Sequence, residues 1–551
     1  MTRTGRHFTL LILLLGASLL ACGRTPALTP TATLPTPSTP RAISAPSPTS
    51  ANLPVPRPFA FGVEYGNLDG GVLGQPRRAP AALYASFGAA WVKFTDINWG
   101  QIVPRPGLKP CAGFAWRQLD AWVQEWQAAG FQLQMVLRSK SDWATQPAYR
   151  TDLLGGFGRS ASTPPKPEYL AAYGDFVQCV VERYDGDGLN DLPGLLRPIL
   201  DYEIESEAGV EIFWQGAPEE YLALLQLAHD RIGAANPSTR VIASGVGIPE
   251  LFDDGAGAEV FPTRLAQWRT RLAGNAEGLA ALDRALVFVG LIADHPEAFD
   301  VVEGHWLTDY KAVFGGLGWM RGEMARRNYT KPIWAGDATS ALNLMVAPAF
   351  FEDRPFAAAE LLRLRGFLGV GGILNDPANA DYPAVMRWFR AEQASLTVKK
   401  LVTGMALGLE GINLCCLQDW PALSGFPYQG LTDDKQQPRP VLYSFGLVVQ
   451  KLGGFSAVEP LTLAANIYAY RFTVNGRPLL VLWRDDGRRY LPGQAEPTSP
   501  VDLPWPTAAA TLTHIITEPG QTAPLVERVT ASAGRLHLVV DSQPVFIEAS
   551  D

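Results

Sequence analysis

From residue 58 the chain alternates short apolar runs with stretches whose apolar residues recur at helical spacing. Phe59–Glu64, Ala90–Phe94, Phe131–Leu137, Ile199–Glu207, Arg240–Ser244, Phe299–His305, Lys331–Ala335 and Gly411–Leu417 read as strands. Ala81–Phe87, Leu119–Trp126, Tyr169–Tyr184 and Glu219–Ala235 carry helical periodicity, the last closed by Asn236-Pro237. Strands that each lead into helix-compatible sequence predict an α/β fold, a (β/α)8 TIM barrel over residues 58–454 with insertions such as 341–385. A doubly wound open sheet has the same local pattern. The strand count, and the polar or aromatic residues behind most strands, favour the closed barrel.

Beyond Gly454 the pattern changes. Ile467–Phe472, Pro478–Trp483, Ala510–His514, Leu536–Val540 and Pro544–Glu548 are short apolar or alternating runs between Gly, Pro and Asp turns. They predict a small antiparallel β-sandwich domain over residues 455–551.

In a (β/α)8 barrel the C-terminal strand ends form the functional face. Those ends carry Glu64, Asp96 and Trp99, Arg138 and Trp143, Glu207, His305 and Trp306, Asp337, and Asp419-Trp420. Trp214 follows a few residues after Glu207. Acids interleaved with tryptophans at one rim suit a sugar, whose ring faces stack on indole and whose hydroxyls bond carboxylates. Asp96 and Arg138 read equally as ligand contacts or as a rim ion pair. Within Ile199–Glu207, strand geometry puts Glu203, Glu205 and Glu207 on one face. Glu203 then lies deep and needs a cationic partner, and Glu303 is a candidate interior partner for Lys93.

Composition limits the other classes. The formal net charge is −8 and no basic block occurs, which argues against a nucleic-acid partner. At the N-terminus, Arg3 and Arg6 precede an apolar run from Phe8 to Leu20, too short for a good membrane span. Residues 1–21 therefore read as a signal peptide, and Leu19-Leu20-Ala21-Cys22 resembles the bacterial lipoprotein signal, in which the cysteine is lipidated. The expectation is an extracytoplasmic lipoprotein touching the membrane only through Cys22. Residues 22–57 are rich in Pro, Thr, Ser and Ala and form a tether without a core. Cys111, Cys179, Cys415 and Cys416 have neither disulfide-framework nor zinc spacing and read as buried thiols. Asp185-Gly-Asp-Gly-Leu-Asn-Asp191 superficially resembles a calcium loop. Arg197-Pro198 stands near the place of its closing acid, so an ordinary turn is the simpler reading. No cofactor and no metal are expected.

Several of these segments together resemble the clan A glycoside hydrolases, in particular β-xylosidase and cellulase-like families with a trailing β-sandwich. Trp91-Val-Lys-Phe94, Trp99–Pro104, Pro106-Gly107 and Phe114-Ala-Trp116 resemble their second strand and loop. Tyr202-Glu-Ile-Glu-Ser-Glu207 resembles the fourth-strand signature Tyr-Glu-Ile-Trp-Asn-Glu, with Phe213-Trp214 and Pro218–Tyr221 downstream. Lys331–Asp337 resembles the seventh strand, which ends in a nucleophilic Glu. Tyr428–Asp433 and Pro440–Tyr443 resemble the run after the eighth.

The resemblance implies retaining hydrolysis of O-glycosidic bonds in an oligo- or polysaccharide, with Glu207 as acid/base and Asp337 as nucleophile. It implies that Ser206, Trp214, His305 and Trp306 contact the sugar. Three residues depart from the pattern. Ser206 replaces an Asn and loses its amide fork. Asp337 replaces Glu and draws the carboxylate back by about 1.5 Å. Glu205 replaces Trp and is expected beneath Glu207, raising its pKa unless Lys93 or Arg138 neutralises it. Two further readings stay open: a glycan-binding lipoprotein that has lost catalysis, and a two-lobed solute-binding lipoprotein built on open sheets.

Overall fold

The computed structural model describes residues 59–65, 80–151, 161–246, 249–252, 254–338, 372–419 and 428–550. The expected signal peptide, Cys22, the tether, Trp420 and most of the 341–385 insertion lie outside the described residues.

Strands β1 (Ala60–Tyr65), β2 (Trp91–Asn98), β3 (Gln132–Arg138), β4 (Asp201–Ile204), β5 (Arg240–Val246), β6 (Val301–His305), β7 (Ile333–Asp337) and β8 (Gly411–Leu414) form a closed barrel in sequence order. All neighbours are parallel, and β8 closes the ring on β1 through Ala60↔Gly411 to Val63↔Leu414. Closure removes the two-lobed alternative, because no open sheet edge remains for a second lobe.

The strands lead into helices that cover the barrel. In Leu170–Tyr184, Tyr173, Phe176, Val177, Val180 and Tyr184 recur at helical spacing and are fully buried against the barrel. Inside the ring, Trp91, Ile242, Val301 and Trp334 form an apolar floor, with the two indoles edge to face at 5.1 Å.

The C-terminal region is a six-stranded antiparallel sheet ordered β14-β13-β16-β11-β10-β9, facing a two-stranded sheet, β12-β15. Its strands are β9 (Phe455–Pro460), β10 (Ile467–Val474), β11 (Arg477–Arg484), β12 (Ser499–Pro504), β13 (Ala509–His514), β14 (Val526–Thr530), β15 (Arg535–Val540) and β16 (Val545–Ser550). Ala469, Leu480 and Leu482 meet Val501, Leu536 and Leu538 of the small sheet. Tyr470, Phe472, Val481, Trp483 and Phe546 point the other way and join the barrel's own core. Trp483 Nε1 donates to Tyr310 Oη at 3.1 Å, and Tyr310 donates to Asp485 at 2.8 Å. Arg489 pairs with Asp309 and Glu392, each at 2.6 Å. Burial would raise the Asp485 carboxyl, but Lys311, Lys399 and Arg489 hold it well below the usual range.

The expectation of free core thiols is overturned: Cys111 pairs with Cys179 and Cys415 with Cys416. Cys111 sits in the loop after β2, and the pairing ties that loop to helix Leu170–Tyr184, a contact that sequence spacing does not encode.

Candidate active site

Above the apolar floor the barrel interior turns polar. Lys93, Gln134, Glu203 and Glu303, from β2, β3, β4 and β6, are essentially without exposure. Lys93 Nζ lies 2.9 Å from Glu203 and pairs with Glu303, the interior partnership expected for both acids. Gln134 Nε2 donates to both carboxylates at 3.0 Å. Lys93 lies between these two buried carboxylates, and His305 reaches Glu303 from above. Burial, with Glu303 adding to it, pushes Glu203 well above the usual range. For Glu303 burial also acts upward, but Lys93 and then His305 hold it far below. Burial and mutual repulsion thus favour the protonated form of Glu203, while Lys93 and His305 favour the charged form of Glu303.

That charge reaches the rim through a single side chain. His305, at the end of β6, is 2% exposed and faces a carboxylate with each nitrogen. Nε2 is 3.2 Å from Glu303 Oε1 and Nδ1 is 2.6 Å from Glu207 Oε1. Burial would lower the imidazole, but Glu207 and Glu303 hold it well above its ordinary value. This favours the imidazolium form, which presents a donor to each carboxylate. The backbone is shaped for this ring: a Cβ on Gly245 would occupy the space of its Nε2, Cδ2 and Cε1, and a Cβ on Gly336 would collide with Glu303.

Asp337 ends β7, directly beside His305 in the ladder. It is half buried, and its Oδ1 has no hydrogen-bond partner. Burial raises its carboxyl, with Glu207 adding to the effect and His305 and Lys93 opposing it. Glu64, at the end of β1, places a carboxylate oxygen within 4.8 Å of one on Asp337. Burial and then Asp337 push Glu64 up to about 8, against Lys93 and His305. Around neutral pH Glu64 carries a proton beside Asp337. Sequence reasoning placed Glu64 at a strand end and gave it no role.

The end of β4 differs from the expected regular strand. Pairing stops at Ile204, and Glu205 and Glu207 both adopt left-handed backbone, with φ of 60° and 45°. The three acids therefore do not share a face. Glu203 points into the barrel and Glu207 to the rim. Glu205 turns aside to accept from the Ser139 N–H at 2.6 Å, 3.5 Å from Arg138 Nε. Arg138, not Glu207, is the neighbour of this carboxylate. Ser206 stands half buried between the two turned residues.

Arg138 also donates to Ser162 Oγ at 2.9 Å and to the Phe213 carbonyl at 2.7 Å, and it pairs with Asp96. With its donors so placed, the Asp96–Arg138 pair ties the rim together. Arg284, which the sequence did not single out, secures the same loop by donating to the carbonyls of Trp214 and Gly216 at 2.9 and 3.0 Å.

The expected aromatic lining is largely buried. Trp99 packs edge to face on Tyr173 at 5.5 Å, and Trp214 on Tyr221 at 6.2 Å. Trp306 folds back over Gly304 toward Gly316. All three are 0–1% exposed and offer no face to a ligand. Trp143 remains half buried, its Nε1 donating to the Val103 carbonyl at 2.8 Å. Asp419 is also core, paired with Arg390 at 2.7 Å and Arg439 at 2.9 Å. Of the expected site residues, Glu207, His305 and Asp337 come together, and Glu64 joins them.

This group can give and take protons at one spot. Glu207 stands just past β4 and Asp337 at the end of β7; His305 holds the first, and Glu64 stands beside the second.

The sequence matches no family model and no curated protein. Solved structures do match. A family 39 glycoside hydrolase from Bacteroides cellulosilyticus WH2 has a TM-score of 0.52 and 14% identity, over 90% of this chain and 81% of that one. The GH39 enzyme from Xanthomonas axonopodis pv. citri gives 0.52 and 14%, over 91% and 96%. A monomeric beta-xylosidase from Caulobacter crescentus CB15 gives 0.50 and 14%, over 90% and 96%. At this identity the likeness is one of fold: a TIM barrel followed by an antiparallel sheet domain, as found in these glycoside hydrolases.

Proposed function

We propose that the chain is a surface-anchored glycoside hydrolase that cleaves O-glycosidic bonds of an oligo- or polysaccharide with Glu207 and Asp337. The observation that carries this reading is the grouping of Glu207, His305 and Asp337 at the C-terminal rim of a closed barrel. The His305–Glu207 pair gives one proton, through Glu207, to the leaving oxygen and later takes one back from the attacking water, while Asp337 attacks the anomeric carbon in a retaining mechanism. His305 orients Glu207 and keeps a positive charge at the site. The fold-level likeness to glycoside hydrolases supports a carbohydrate substrate. Anchoring through a lipidated Cys22 and the tether rests on the sequence motif.

A second reading, a glycan-binding lipoprotein without turnover, is favoured by Ser206 and Asp337, which stand where the resembling enzymes have Asn and Glu. A screen of aryl glycosides and polysaccharides separates the two. Turnover that falls by on the order of 100-fold or more in Glu207→Gln supports the enzyme. Measurable sugar binding without turnover on any substrate transfers the assignment to the binder.

A further inference from the structure

The loop between helix Leu170–Tyr184 and β4 lies at the end of the barrel opposite the candidate active site. Its sequence, Asp185-Gly-Asp-Gly-Leu-Asn-Asp191, puts acids at its first, third and seventh positions. Backbone N–H groups of the loop hold two of them: Asp191 accepts from Gly186 at 2.9 Å and from Gly188 at 2.7 Å, and Asp187 accepts from Leu189 at 2.7 Å. Here they converge: one carboxylate oxygen from each of Asp185, Asp187 and Asp191 lies within 4.8 Å of the other two. Oxygens that share one calcium ion stand about 2.3–2.6 Å from it, so opposite ligands are at most about 5 Å apart.

A second observation is independent of the spacing. Asp185 is only 5% exposed, and its Oδ2 has no hydrogen-bond partner. Its Oδ1 takes only the Asp187 N–H, at 3.3 Å. A buried carboxylate oxygen without a donor is costly unless a cation meets it. Among the described residues, no Lys, Arg or His lies within ion-pair distance of any of the three acids. Magnesium demands a nearly regular octahedron and gives up water reluctantly, whereas calcium accepts irregular sets of six to eight oxygens.

We infer that Asp185, Asp187 and Asp191 bind a calcium ion, with loop carbonyls and water completing its shell. The closing bidentate acid of a twelve-residue calcium loop is absent, so this is a shorter loop of another kind. The ion joins the end of helix Leu170–Tyr184 to the segment that enters β4, the strand leading to Glu207.

The test uses the full-length protein, stripped with EDTA and desalted, then titrated with calcium chloride at constant ionic strength. Tm rises saturably by about 2 °C or more. Terbium in place of calcium luminesces under ultraviolet excitation through Tyr184, the residue adjoining Asp185. Asp187→Asn and Asp191→Asn each weaken both responses at least about tenfold; Asp191 also accepts the Gly186 and Gly188 N–H groups, so Asp187→Asn, at an exposed position, is the cleaner of the two. Asp175→Asn, an acid elsewhere on the same helix, leaves them unchanged. Absence of both responses in the unaltered protein overturns the site. So does a response with the same midpoint in Asp187→Asn and Asp191→Asn, or one that magnesium reproduces at equal concentration.

Discussion

His305 holds Glu207 through a 2.6 Å contact between Nδ1 and Oε1, and its other nitrogen is fixed by Glu303. The rim acid is thereby wired to Lys93 in the barrel interior. A protonated imidazole between two carboxylates adds stability that depends on pH. The His305 value is raised above its unfolded one, so the contribution is complete below about pH 6.5. It declines above that and is lost as pH passes the raised native value. The Tm gap between the unaltered protein and His305→Gln should narrow steadily from pH 6.5 upward. A gap that widens with pH would show that the ring is neutral.

Glu64 titrates near pH 8 because burial and Asp337 disfavour its charged form. A carboxyl raised in this way binds a proton in the native state that the unfolded chain releases from about pH 4.3. Glu64 therefore weighs against the fold increasingly as pH rises toward 8. Glu64→Gln removes the charge but keeps the shape, and its Tm relative to the unaltered protein should climb between pH 5 and pH 9. A pH-independent difference would count against a raised Glu64.

Gly245 has no side chain because the His305 ring fills that space. Gly245→Ala should push the imidazole off Glu207 and lower kcat/KM by about 100-fold, the scale of a small misplacement at a catalytic group. Gly233→Ala is the control: a Cβ there meets nothing within 4 Å, and the helix should gain about 0.5–1 kcal/mol. Thermal melts and steady-state rates on both variants separate displacement of the ring from general damage.

The Cys111–Cys179 bridge closes a loop with a sequence separation of 68. Chain-entropy reasoning assigns it about 4 kcal/mol, drawn from the unfolded state. The double variant Cys111→Ser, Cys179→Ser should unfold at lower denaturant than the oxidised protein. Added reductant should shift the unaltered protein toward the variant.

The strands of the barrel were legible because each is a compact apolar run, and the rim positions of Glu207, His305 and Asp337 follow once the barrel is recognised. Less legible were the features set by ring closure and by single dihedrals. Glu64 and Asp337 are distant in sequence, and only the β7-β8-β1 neighbourhood brings them together. Glu205 leaves its expected face because its φ is positive, which a glutamate does not advertise. An indole after a strand end suggested the rim, but Trp99, Trp214 and Trp306 turn into the layer behind the strands, where the same apolar surface is equally well served. β9, β12 and β14 escaped notice because prolines and charges mark them as edge or exposed strands.

The six-stranded sheet has no spare side. One face belongs to its partner sheet and the other, through Phe472, Trp483 and Phe546, to the barrel core, with Asp485 set among barrel lysines. This sheet is therefore not a detachable appendage that could be exchanged between proteins without penalty. Cutting the chain near Gly454 would uncover a broad apolar surface and leave Lys311 without its carboxylate, so the two units should be inherited, expressed and lost together.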